Sequence, residues 1–213
     1  MSIAQPDIAL VGADGDLSAN IPRILAGAGI NVVAFATDRE FLSALDDQRF
    51  TCLLIDVQRP ASGGPALQRT LVERRVAMPV IVLGGLADVT TAVKAMKAGA
   101  VDVIEMPFAD DRLVEAVRSA VALYGKWHRN LEQRRLAHER IERLTAREIQ
   151  VLDLMVTGKP NRDIAAELGI SPKTLDIHRA NVMHKLAART TADVVRMRLL
   201  DRTDPLGVGY LGN

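Results

Sequence analysis

The chain contains a single cysteine, Cys52, so no internal disulfide framework can hold it together. Cys52 lies in the apolar run Cys52-Leu53-Leu54-Ile55, where a small buried thiol is the expected reading. Aromatic residues make up only 3% of the sequence. No apolar stretch reaches the ~20 residues that a membrane-spanning helix needs. The opening Met1-Ser2-Ile3-Ala4-Gln5 has neither the positive charge nor the apolar core of a signal peptide. A cytoplasmic protein without a membrane partner is therefore expected. Gly12-x-x-Gly15 fails the dinucleotide-binding spacing at Asp14 and Leu17. The four histidines, His128, His138, His178 and His184, have no ligand-spaced company, so neither a metal nor a cofactor is expected. No nucleophile, base and orienting group occur together, and catalysis is not expected.

What is present is unevenly distributed. Residues 1–124 carry 11 Lys/Arg against 15 Asp/Glu, a net of −4, whereas residues 125–213 carry 16 against 11, a net of +5. The near-neutral total of +1 conceals a basic half suited to a polyanion. With 213 residues, 48% of them hydrophobic, the chain is long enough for one large core and a smaller one.

Residues 1–124 alternate strand-like and helix-like patterns. Continuous apolar runs occur at 8–11, 32–35, 52–55, 80–83 and 101–104. Runs of this kind are apolar on both faces, as in a parallel sheet covered by helices on each side. Helical segments are expected near 17–28, 38–47, 65–75, 88–98 and 110–123. The fold class is therefore α/β, a five-stranded doubly wound parallel sheet. Its functional crevice should lie beyond the carboxyl ends of the strands. Asp56 is the acid expected there, at the end of the third strand.

Residues 144–213 read as a small all-α domain, reached through a helical linker over 125–143. Thr145 and Glu148 form a capping box, and Ile149, Leu152 and Val156 recur at helical spacing until Gly158. Asn161 is expected to cap a second helix with Ile164, Ala165 and Leu168 buried, closed by Gly169 in a left-handed C-cap. Ser171-Pro172 starts a third helix. Two helices joined by so short a turn form a helix-turn-helix. On the third, Leu175, Val182 and Leu186 share the core side, while Lys173, Asp176, Ile177, Ala180, Asn181 and His184 project away from it. That mixture suits a surface that reads base edges, with Arg179 and Lys185 flanking it as phosphate holders.

The string Thr145-x-x-Glu148-x-x-Val151-Leu152, Gly158, Asn161-x-x-Ile164-Ala165, Leu168-x-Ile170-Ser171, Thr174-x-x-x-His178 and Lys185-Leu186 resembles the LuxR-type (GerE) DNA-binding domain. The resemblance implies a four-helix module that binds double-stranded DNA as a homodimer, with Asp193 to Leu200 in the fourth helix. It places Asn161 and Thr174 among the DNA-binding residues. Asp56 resembles the phospho-acceptor of a response-regulator receiver domain. Lys97-Ala98-Gly99-Ala100 and Ile104-Glu105-x-Pro107-Phe108 resemble the FixJ subgroup of the FixJ/NarL type. Together these resemblances cover nearly the whole chain.

The departures bear on mechanism. A receiver offers adjacent acids after its first strand to hold magnesium, where this chain has Gly12 and Ala13, with Asp14 one step on. Gly84 replaces the hydroxyl residue after the fourth strand, Met106 replaces the lysine before the proline, and Val103 takes the aromatic switch position. Phosphoryl transfer depends on placed positive charge, and magnesium usually needs more than one carboxylate. Asp56 then reads as a vestigial acceptor in a degenerate pocket formed by Gly12, Ala13, Asp14, Gly84 and Met106.

The expectation is a sequence-specific transcription regulator that acts without phosphorylation, its first domain taking a protein or small-molecule input. The alternatives are a conventional regulator phosphorylated on Asp56 and an adaptor whose helical domain no longer reads DNA. Dimerisation is expected either through the receiver face or through a coiled-coil seam of Leu113, Val117, Val121, Tyr124, His128 and Leu131.

Overall fold

The computed structural model describes residues 7–13, 15–57, 64–85 and 89–202. The chain divides into two compact units, the first running to His128 and the second beginning at Arg129. Among the described residues no helix is long and apolar enough to cross a membrane.

In the first unit, β1 (Asp7–Val11), β2 (Asn31–Phe35), β3 (Cys52–Asp56), β4 (Val80–Gly85) and β5 (Asp102–Met106) form one parallel sheet in the order β2-β1-β3-β4-β5. Helices α1 (Gly15–Gly27), α2 (Asp38–Ala44), α3 (Gly64–Glu73), α4 (Val89–Lys97) and α5 (Asp110–Ile141) alternate with the strands or follow them. Four of the apolar runs lie wholly within their strands; the fifth strand starts at Asp102, one residue later than its run, and continues to Met106. Residues alternate between the two faces of the sheet, as strand geometry requires. Ile8, Leu10, Leu54, Ile81 and Leu83 cluster with Ile21 and Leu25 of α1 and with Leu113 and Val117 of α5. Ala9, Val11, Leu53, Ile55 and Val82 cluster with Phe41, Leu67, Leu71 and Ala95 from α2, α3 and α4. Each large aliphatic side chain buried in this way contributes about 1.5–3 kcal/mol relative to exposure. Strand order reverses between β1 and β3, which opens the crevice at their carboxyl ends.

Helix α5 differs most from expectation. It is one 32-residue helix that passes through Gly125. Its early apolar positions do not form a free seam, because Leu113 and Val117 are fully buried in the sheet-facing cluster. The turn Tyr124–His128 carries the only tryptophan of the sequence, Trp127, and the Tyr124 and His128 rings lie 4.2 Å apart.

The second unit contains the end of α5, then α6 (Ala146–Val156), α7 (Asn161–Glu167), α8 (Pro172–Lys185) and α9 (Thr191–Arg202) around one apolar cluster. Thr145 and Glu148 make both bonds of the expected capping box. The buried stripe of α6 is Val151, Leu152 and Met155, with Ile149 and Val156 at its margin, because the expected set was phased slightly off the packed face. Asn161 is not the cap of α7. Pro160 holds that place with extended backbone and Asn161 is the first helical residue, so its side chain is exposed. Gly158 and Gly169 follow their helices at φ +77° and +64°, conformations that side chains with a Cβ rarely adopt.

The end of α5 is fastened to α9 by side chains. Gln133 Oε1 accepts from Arg196 at 3.1 Å, and His138 Nδ1 lies 2.8 Å from Asp201 Oδ1. Asp201 also pairs with Arg198, and Glu142 lies 3.4 Å from His138 Nε2. The Asp201 hydrogen bond, helped by Glu142, Asp201 and Glu139 charge, raises the His138 pKa above its ordinary 6.5. A raised folded-state pKa gives stability that is fully present below the unfolded value and is lost as pH rises through the folded one. His138→Gln should therefore melt below the parent at about pH 6, with the gap narrowing by about pH 8. Paired melting curves across that range check it; a constant gap would assign the contact to packing.

Candidate nucleic-acid interface and acceptor crevice

Helix α8 is defined at both ends. The Ser171 hydroxyl accepts the Thr174 amide at 3.1 Å, and Pro172 occupies the first turn, where a missing amide hydrogen costs nothing. Leu175, Val182 and Leu186 are fully buried, as their spacing predicts. Lys173, Asp176, Ala180, Asn181 and His184 are exposed, and Ile177 exposes 57% of its surface. An isoleucine side chain exposed on this face can meet a thymine methyl. Thr174 is half-buried, its hydroxyl 2.8 Å from that of Ser171, and Arg179 is half-buried at the edge of the face.

Lys185, half-buried at the end of α8, has a partner within the unit. Its ammonium lies 2.6 Å from Glu148 Oε2, whose side chain is only 4% exposed. Burial pushes that carboxyl up, but Lys185 and the Thr145 amide and hydroxyl outweigh it and hold its pKa below the ordinary range. This ion pair joins α8 to α6 at the position expected to flank the reading face.

Two arginines that the sequence did not single out close the carboxyl ends of the motif helices. Arg147 Nη2 donates to Leu168 O at 2.6 Å and Arg140 Nη1 donates to Leu186 O at 3.0 Å. Leu168 and Leu186 are the C-cap residues of α7 and α8, whose last carbonyls lack partners within the helix. Arg147 lies inside the recognised Thr145–Glu148 string, yet nothing in its spacing points to a carbonyl 21 residues away.

In the first unit, Asp56 ends β3 with 2% exposure, in register with Leu83 of β4. Gly12 follows β1 at φ +82°, its amide donating to Phe35 O at 3.2 Å. Ala13 is buried in the same apolar cluster as Leu10, Leu83 and Ile104, and Met106 packs against that cluster from the end of β5. A Cβ at Gly84 would meet Val57 Cγ2 at an ordinary 3.5 Å, so the position has room for a side chain. Val103 packs on the opposite face of the sheet. Asp14 lies outside the described residues. Ala13 and Met106 thus bring apolar packing to the carboxyl ends of β1 and β5.

Residues 142–198 match the bacterial regulatory proteins of the luxR family, and residues 8–118 match the response regulator receiver domain. The chain is 36% identical over 196 residues to the transcriptional regulatory protein FixJ of Azorhizobium caulinodans, across 92% of this chain and 93% of that protein. It is 39% identical over 171 residues to FixJ of Rhizobium meliloti, across 80% of this chain and 84% of the relative. Among solved structures, the response regulator StyR aligns with a TM-score of 0.76 at 31% identity, covering 92% of this chain and 99% of that one. Full-length FixJ from B. japonicum aligns with a TM-score of 0.58 at 33% identity, covering 92% and 97%.

Proposed function

Since the chain belongs to the FixJ-type response regulators, which join a receiver domain to a LuxR-type DNA-binding domain, we propose that it recognises its operator without phosphorylation of Asp56. In this reading residues 1–124 are a degenerate receiver, 125–143 a helical linker and 144–213 the DNA-binding domain, working as a homodimer. The supporting observation is the outward face of α8, where Lys173, Asp176, Ile177, Ala180 and Asn181 stand exposed on a helix whose other side is fully buried. Asn161 and Arg179 flank it as backbone contacts, and Thr174 braces the start of the helix. A carboxylate at 176 can accept from cytosine N4 and an amide at 181 can pair with adenine, so the face can discriminate bases.

Independence from phosphorylation is supported by the residue types at the carboxyl ends of β1 and β5. An acyl phosphate needs cations to neutralise its equatorial oxygens. Ala13 and Met106 bring methyl and thioether groups where a metal-binding acid and a lysine stand in the family. The first domain then serves to sense a protein or a small molecule and to hold two copies together.

Fragments of genomic DNA selected by untreated protein test the main claim. A shared sequence should emerge, and affinity for it should fall steeply with salt, by about 0.9 log units per log unit of salt for each phosphate neutralised. Arg179→Ala should weaken all duplexes alike and reduce that slope by about one. Changes at Asp176 or Ala180 should instead alter which bases are preferred. Indifference of the untreated protein to sequence, cured by acetyl phosphate, would restore the conventional reading.

A further inference from the structure

We propose that Arg140 is a positioning residue for operator reading: from the last turn of α5 it fixes the carboxyl end of α8, so the seating of the reading face depends on α5. The inference rests on the reading of α8 as the base-contacting helix. Both C-cap carbonyls of the helix-turn-helix, Leu168 O and Leu186 O, accept from an arginine outside the motif. Arg147 reaches the first from α6, a neighbour within the same small bundle. Arg140 reaches the second from α5, the helix whose Leu113 and Val117 are buried in the core of the first unit.

The local geometry gives that contact leverage. Leu186 is fully buried, and Ala187 follows at φ +50°, a conformation that L-residues rarely adopt, so α8 stops abruptly there. The end of a helix carries partial negative charge and unsatisfied carbonyls, and a guanidinium donor there makes a charge-assisted bond. Lys185 grips the same turn through Glu148 of α6. The carboxyl end of α8 is therefore held from two directions, and Arg140 supplies the one that leads back along α5. Base readout needs side chains held to within about 0.5 Å and 10–20°. A helix end held from one direction only keeps its phosphate attraction and loses discrimination.

The test compares the full chain with Arg140→Met and Arg140→Lys. Three quantities are read: the ratio of affinities for the selected and a scrambled duplex, the salt slope, and amide exchange at residues 186–188 without DNA. Arg140→Met should lower the ratio about tenfold, leave the slope unchanged and speed exchange, with Arg140→Lys recovering part of each. A fall in both affinities with a slope smaller by about one would make Arg140 a phosphate contact and overturn the proposal. A lower melting temperature with the ratio intact would make it merely stabilising and overturn it equally. If the parent shows no sequence preference, the reading of α8 fails. Exchange then decides, and unchanged protection at 186–188 refutes the role of Arg140.

Discussion

Lys185→Met should lower the melting temperature of the DNA-binding unit by about 10–20 °C while the receiver unit melts as before. The substitution removes the cation beside a carboxylate that has almost no access to water, since the Glu148 side chain is 4% exposed and Lys185 is 33% exposed. Leaving one member of a buried pair uncompensated costs about 3–5 kcal/mol. Here the Thr145 amide still binds Glu148 Oε2 at 2.7 Å, so about 2–3 kcal/mol is expected. In a unit of this size each kcal/mol moves the midpoint by about 4–8 °C.

Two comparisons separate this from a role in binding DNA. Glu148→Leu combined with Lys185→Met should recover most of the loss, leaving about 1 kcal/mol for the broken capping box. Arg179→Ala should leave the midpoint unmoved while weakening every duplex. Calorimetry of the four proteins settles the matter; an unshifted transition in Lys185→Met, with a salt slope reduced by one, would return Lys185 to the phosphate backbone.

Acetyl phosphate with magnesium should leave the mass of the parent unchanged, whereas the triple variant Ala13→Asp, Gly84→Thr, Met106→Lys should gain one phosphoryl group on Asp56. The three changes restore a metal-binding acid, a hydroxyl and a lysine. The threonine at 84 has room, because the nearest atom to its Cβ would lie at 3.5 Å. The other two replace members of an apolar cluster, and an acid in place of the buried Ala13 is costly until a cation reaches it. The triple variant should therefore melt several degrees below the parent without magnesium and regain stability with it, while the parent is indifferent to the metal. Intact mass before and after treatment gives the answer. Stoichiometric labelling of the parent itself, abolished by Asp56→Asn, would end the claim of independence.

The sheet was legible because its strands are buried on both faces and so appear as unbroken apolar runs in an otherwise mixed sequence. Helix ends in the second unit were legible for a different reason: Thr145, Glu148, Gly158, Gly169, Ser171 and Pro172 act on the backbone within a few residues of themselves. The partners of long basic side chains were hidden. Lys185 finds a carboxylate 37 residues away and Arg140 a carbonyl 46 residues away, and periodicity fixes only the face from which each departs. Asn161 misled because a good capping residue next to a proline left the proline in the cap. Asp56 could be placed at a strand end from pattern alone. That Ala13 and Met106 share one cluster required the packed sheet.

The single indole, Trp127, sits in α5 one residue before the boundary between the two units. Its emission therefore reports on that one turn without any added label, free of background from a second indole. Stopped-flow mixing with a candidate effector or duplex can time events in the linking helix directly on the unmodified chain.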